Sequence, residues 1–177
     1  MKMKKALALV AACALAAAVA AVLTARSHAA SQLPGMDEQY LKTSSQGDMF
    51  EIAGGKLALK KSHNKAVRAL AQRLIKDHSK SLADAKQVAQ KYGVSLENKP
   101  TPSQQWELQA VSALASKGFD RWYSDLEVLD HHQDIQETTD EISMGSNADV
   151  KKLASDDLPV LKTHLKMSQT ALKSAKH

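Results

Sequence analysis

Beyond position 13 the chain has no cysteine. Disulfide staples and thiol chemistry are therefore excluded from everything downstream of Cys13. Sustained apolar–polar alternation rich in Val, Ile or Thr is also missing, which argues against a β-sheet architecture. The seven glycines form no phosphate-binding loop, and neither a Ser–His–Asp signature nor a nucleic-acid motif is present. These absences leave enzymatic activity open and lean against it.

An excess of positive charge is lacking too, once its source is located. The formal net charge of +5 includes Lys2, Lys4, Lys5 and Arg26, which flank an almost pure apolar run from Ala6 to Leu23. Ser27-His28-Ala29 places small residues at the −3 and −1 positions of a cleavage site, so residues 1–29 read as an export signal. An uncleaved anchor is the first alternative, although the run is mostly Ala and short of the ~20 residues of a span. Val10-Ala11-Ala12-Cys13 also resembles a lipobox, which would lipidate Cys13. Each reading places the remainder in the periplasm or at the envelope, touching a membrane only through this segment. Without the leader the net charge falls to +1, so composition predicts no nucleic-acid partner. It identifies no protein partner.

What remains is helical throughout. After a linker at 30–36, a single all-α domain is expected over 37–175, large enough to hold a core without staples. Its elements are a helix from Asp37 to Ser62, and a second from its Asn64 cap to Tyr92, stopped by Gly93. A short helix capped by Ser103 should reach about Ser116, where Lys117-Gly118 breaks it. Long helices over Phe119–Ser143 and Asp149–Ala175 complete the chain, with Pro159 expected to kink the last or mark a two-part start. Two short hairpin loops and a long connection from Gly93 to Gly118 predict a ferritin-like four-helix bundle, its one long crossover containing the short extra helix.

Each long helix carries an ionisable residue at its midpoint. His78 occupies a leucine position in the stripe Leu74–His78–Leu82, and His131 and His164 interrupt the stripes of the last two helices. Glu127 lies one turn before His131, and Glu51 borders the stripe of the first helix among small residues. Packed helices of similar length bring their midpoints to one level, so these groups are expected in one central layer. Buried separately they would cost several kcal/mol each unless hydrogen-bonded, paired or metal-bound.

Two readings of that layer stand. Glu51, His78, Glu127, His131 and His164 suit a transition-metal ion such as zinc, iron or copper, with Asp77, Tyr123 and Asp157 as supporting neighbours. Alternatively, they form a metal-free hydrogen-bonded network that fixes helix register in a structural or protein-interaction module of the envelope. A dinuclear ferritin-type centre is not expected, because Ile75, Val128 and Leu161 stand where Glu-x-x-His needs a carboxylate. Asp120 reads as a residue favouring a helix N-terminus, and Trp106 and Trp122 as packing residues. His132, His63 and His177 read as peripheral.

FEIAGGKLAL (Phe50–Leu59), Asp77-His78, FDRWYSDLEVLDH (Phe119–His131) and LPVLKTHL (Leu158–Leu165) together resemble the exported bacterial family known as domain of unknown function 4142. That family is described as a predicted outer-membrane or periplasmic protein with a ferritin-like bundle. The resemblance implies roles for Glu51, Asp77, His78, Phe119, Asp120, Tyr123, His131, Leu158, Pro159 and His164. Glu127 departs from it, standing where Gln is common. A part in metal handling or envelope stress is an extrapolation from this resemblance, and no barrel-type strand pattern supports the outer-membrane label.

Overall fold

The structure is a computed structural model that describes residues 33–176. The leader, with its cleavage site and Cys13, lies outside the described residues, as does His177. Five helices follow one another: α1 (Gly35–Lys61), α2 (Lys65–Tyr92), α3 (Pro102–Ser112), α4 (Ser116–Met144) and α5 (Ala148–Ala175). No strand occurs among the described residues.

Local chemistry sets most boundaries. Asn64 caps α2 by accepting from the amides of Ala66 and Val67, and Gly93 ends that helix at φ 71°, a left-handed conformation that glycine adopts without a Cβ penalty. Asn147 caps α5 in the same way, accepting from Asp149 and Val150. The cap of α3 is Thr101 rather than Ser103. The Thr101 side chain accepts from the Gln104 amide while the Gln104 side chain accepts from the Thr101 amide, and Pro102 sits where no amide donor is needed. This reciprocal pair outcompetes a lone serine two residues later.

The break after α3 falls at residues 113–115, and Lys117-Gly118 lies within the first turn of α4. Asp120 consequently sits in the second turn and not at the helix start. Pro159 does not divide α5, which runs unbroken from Ala148 to Ala175. Both Pro159 and Ser155, whose carbonyl would have received the missing bond, are exposed, so that carbonyl is open to solvent.

The helices pack in the cyclic order α1–α2–α5–α4. Their directions follow from two apolar clusters. One gathers Tyr40 and Leu41 from the start of α1, Ala85 and Ala89 from the end of α2, and Val150, Leu153 and Ala154 from the start of α5. The other gathers Ala58 from the end of α1, Val67, Leu70 and Leu74 from the start of α2, Phe119 and Tyr123 from the start of α4, and Ala171 from the end of α5. Every neighbouring pair is therefore antiparallel, whereas α2 and α4 run parallel across the diagonal.

The crossover makes that arrangement possible. It leaves α2 at Val94 in the first cluster, passes Gln46, whose amide donates to the Lys99 carbonyl, and arrives at Ser112, whose carbonyl accepts from Lys61. This is the expected ferritin-like bundle with one long crossover. Between the two apolar clusters lies a band of buried polar side chains, which includes Ser45, Asp48, Glu51, His78, Glu127, His131 and His164.

Candidate metal centre

Three imidazoles meet in this band, each from a different helix: His78 from α2, His131 from α4 and His164 from α5. Their ring centroids lie 5.1 Å (His78–His164), 5.3 Å (His131–His164) and 5.8 Å (His78–His131) apart. One nitrogen from each falls within 4.8 Å of the other two. The rings are inclined at 43° to 83°, so they converge and do not stack.

The two nitrogens of each ring differ in environment. His78 Nδ1 is 2.8 Å from Asp48 Oδ1, and His164 Nε2 is 3.0 Å from Asp77 Oδ2. His131 Nδ1 is 2.8 Å from the main-chain carbonyl of Glu127, one turn back in α4. A carbonyl only accepts, so His131 Nδ1 carries the hydrogen and Nε2 holds a free lone pair. The remaining nitrogens, His78 Nε2, His131 Nε2 and His164 Nδ1, are all buried and have no hydrogen-bond partner.

Electrostatics keep two of these rings neutral. Burial, then the neighbouring His78 and His164, hold the His131 imidazole down at about 3. Burial and His78 hold His164 at about 4, against the opposing pull of Asp77. Around pH 7 both are therefore neutral, each with one N–H and one nitrogen lone pair.

The carboxylates form a second group. Glu51 from α1 and Glu127 from α4 are wholly buried, 4.0 and 3.8 Å from His131 Nδ1 respectively. Burial drives Glu127 up to about 7; it also pushes Glu51 well above the usual carboxylate range, reinforced by Glu127 and Asp130. Tyr123 stacks on Phe119 at 5.5 Å, and its buried hydroxyl lacks a hydrogen-bond partner beside Glu127 and Glu51.

The five residues expected to share one layer are thus brought together as two sets that meet at His131. Asp77, which precedes His78 in sequence, serves His164 instead. Its neighbour Arg73 and His164 together hold it below its usual value although burial pulls the other way. Asp157 touches no imidazole; it accepts from Ser81, and burial and Asp48 raise it to about 6. The orienting residue of His78 is Asp48, which sequence reasoning missed. It lies three residues before Glu51, and that helical spacing was the available signal. Asp130 and Asp134 were missed likewise, at three and seven residues after Glu127. Trp106 and Trp122 correct a second expectation: they are 68% and 59% exposed and do not pack in the core.

A cleft of about 240 Å³ reaches this layer between the four long helices, with His78 and His164 in its wall. Its acidic lining comprises Asp48, Asp77, Asp134, Glu137, Asp156 and Asp157. Lys80 is its one lysine and is paired with Asp84 at 2.5 Å.

A ferritin-like bundle with a buried layer of imidazoles and carboxylates is the class that fold and site define. The family described as "Domain of unknown function (DUF4142)" matches residues 22–171, and the chain belongs to it. Among solved structures, a DUF305 fragment from Deinococcus radiodurans superposes with a TM-score of 0.71 at 14% identity, over 80% of this chain and 97% of that one. CopM in its Cu(II)-bound form gives a TM-score of 0.66 at 15% identity over 77% and 95% of the two chains. CopM in its Cu(I)-bound form gives 0.64 at 16% identity over 76% and 93%. At these identities the likeness is one of fold. Comparison with curated proteins gives no match.

Proposed function

We propose that this protein binds a transition-metal ion, copper before zinc or iron, through His78, His131 and His164, and handles that ion in the periplasm or at the envelope. One observation carries the reading: three buried imidazole nitrogens converge without hydrogen-bond partners, while the opposite nitrogen of each ring is held in place. Buried polar atoms are normally paired, and orphaning several at one point costs more than a packed core would. Imidazoles whose far nitrogen is fixed by a carboxylate or carbonyl are the usual arrangement of metal-ligating histidine. Asp48, Asp77 and the Glu127 carbonyl would supply that support here.

Copper is favoured because imidazole sites bind Cu(II) most tightly among the first-row divalent ions, and because the CopM neighbours are copper-bound proteins of the same fold. The ion would add Lewis-acid or redox capacity, whereas the chain itself holds the donors, screens them between two apolar clusters and offers an acidic cleft to an approaching cation. Residues 37–175 form the working domain in this reading, exported by the leader over 1–29.

The test is metal titration of the untagged protein, with Cu(I) kept reduced and read by competition with a chromophoric chelator. One ion per chain is expected, and His78→Ala combined with His164→Ala should weaken binding at least a hundredfold. Metal content far below one ion per chain after loading, with stability unchanged by chelator, would overturn the reading and leave a metal-free structural bundle.

A further inference from the structure

The carboxylates beside the imidazoles pose a problem that copper at the three nitrogens leaves unsolved. Glu51 and Glu127 bring carboxylate oxygens within 4.8 Å of one another, acid against acid, and Asp130 lies near enough to reinforce the effect on Glu51. Both oxygens of Glu51, Oε2 of Glu127 and Oδ2 of Asp130 are buried without a hydrogen-bond partner. Among the described residues none of the three forms an ion pair with a lysine or arginine, and the main influences on them are burial, other acids, Tyr123 and His78. Glu51 and Glu127 are fully buried and Asp130 half-buried, so without a cation the group must hold protons or bind a positive ion.

His131 cannot turn to serve them. Its Nδ1–H is committed to the Glu127 carbonyl, so the nitrogen nearest the acids has no lone pair to offer. The donors on this side are therefore all oxygen. Tyr123, 1% exposed, adds an unpartnered hydroxyl that is not part of the acid group.

Access differs as well. Of the three acids only Asp130 meets a second cavity, of about 320 Å³ on the crossover side of α4, which has Glu107 in its wall and neither His78 nor His164. We propose that Glu51, Glu127 and Asp130, with the Tyr123 hydroxyl beside them, form a second cation site of oxygen donors, suited to a hard divalent ion and separate from the three nitrogens. Hard ions take carboxylate oxygen and borderline or soft ions take imidazole, so the two sets sort cations by donor type. Such an ion replaces the protons that otherwise neutralise the group.

The probe is Mn²⁺, followed by loss of its free-ion electron paramagnetic resonance signal. One Mn²⁺ per chain is expected in the natural protein, and the same in the His78→Ala/His164→Ala variant. Glu51→Gln and, separately, Asp130→Asn should each weaken Mn²⁺ binding at least tenfold and leave Cu(I) affinity within about threefold. Gln and Asn keep the shape and remove a buried charge, and circular dichroism verifies that both variants are folded. No Mn²⁺ uptake up to millimolar concentration overturns the proposal, as does uptake that Glu51→Gln and Asp130→Asn leave unchanged or that the histidine variant abolishes. Because Cu(I) is titrated independently, loss of the manganese result alone leaves the copper reading standing.

Discussion

At the residue scale, Glu127 and the histidines pull stability in opposite directions with pH. Glu127 titrates at about 7 in the folded chain against 4.5 ordinarily, so it favours folding fully below 4.5 and loses that contribution as pH rises through 7. His131 and His164 titrate at about 3 and 4 against 6.5, so their contribution is complete above 6.5 and is lost as pH falls towards those values. Metal-free protein should consequently be most stable in mildly acidic solution. Glu127→Gln removes its own share of the alkaline limb, to which Glu51 and Asp157 also contribute, and should reduce the loss between pH 5 and pH 8 by about 1–3 kcal/mol, read from urea midpoints. Identical slopes in the two proteins would show that Glu127 ionises normally when folded.

The carboxylates behind the imidazoles make a second residue-scale prediction. Asp48 is buried and bound to His78 Nδ1, whereas Asp77 is bound to His164 and to exposed Arg73. Asp48→Asn should lower copper affinity about 10–100-fold by releasing the ring that α2 presents. Asp77→Asn should cost less, because the neighbouring water can replace part of what it supplies. Equal, negligible effects in a chelator competition would remove both from the centre.

At the scale of elements, helix packing at two glycines gives opposite expectations. A Cβ on Gly55 would lie 2.8 Å from Ile75 Cγ1 and 3.0 Å from the Ala71 carbonyl, so α1 and α2 approach too closely for alanine. Gly55→Ala should destabilise by about 1–3 kcal/mol despite alanine's better helix propensity. Gly118 meets nothing nearer than Leu114 Cβ at 3.9 Å and lies in the first turn of α4, where alanine should stabilise by up to about 1 kcal/mol. Thermal melts of both variants test the pair, and a stabilised Gly55→Ala would mean that the α1–α2 contact is looser than described.

The elements also show what sequence could and could not reveal. Midpoint positions located His78, His131 and His164 in one layer because antiparallel helices of 27 to 29 residues align their centres whichever way they run. Spacing alone could not say which carboxylate serves which ring. Asp77 adjoins His78 in sequence, yet successive helical residues point about 100° apart, so it reaches His164 on α5. Asp48, Asp130 and Asp134 went unremarked because an aspartate on a helix gives no sign of burial until the neighbouring helix is known. Trp106 and Trp122 failed the same inference in reverse, since size suggested core and the structure leaves them in water.

At the scale of the whole molecule, the polar layer separates two apolar cores that would otherwise be continuous. A metal ion held by α2, α4 and α5 would join them, and stability should rise with its free concentration by about 2.7 kcal/mol at a hundredfold excess over Kd. Delivery to that layer is a property of the overall field. The acidic lining of the cleft should attract cations before they meet His78 and His164. Asp156→Asn combined with Asp157→Asn removes two of those charges without touching an imidazole. Asp157 titrates at about 6, so at pH 7.5 it is charged in the natural protein. The double variant should bind copper with nearly the natural affinity and stoichiometry, but about threefold to tenfold more slowly at low ionic strength. Raising the salt to about 0.5 M, where screening reaches only a few ångströms, should bring the two association rates together. Stopped-flow mixing reads this directly, and rates that agree at low salt would mean that the ion reaches the imidazoles by another path.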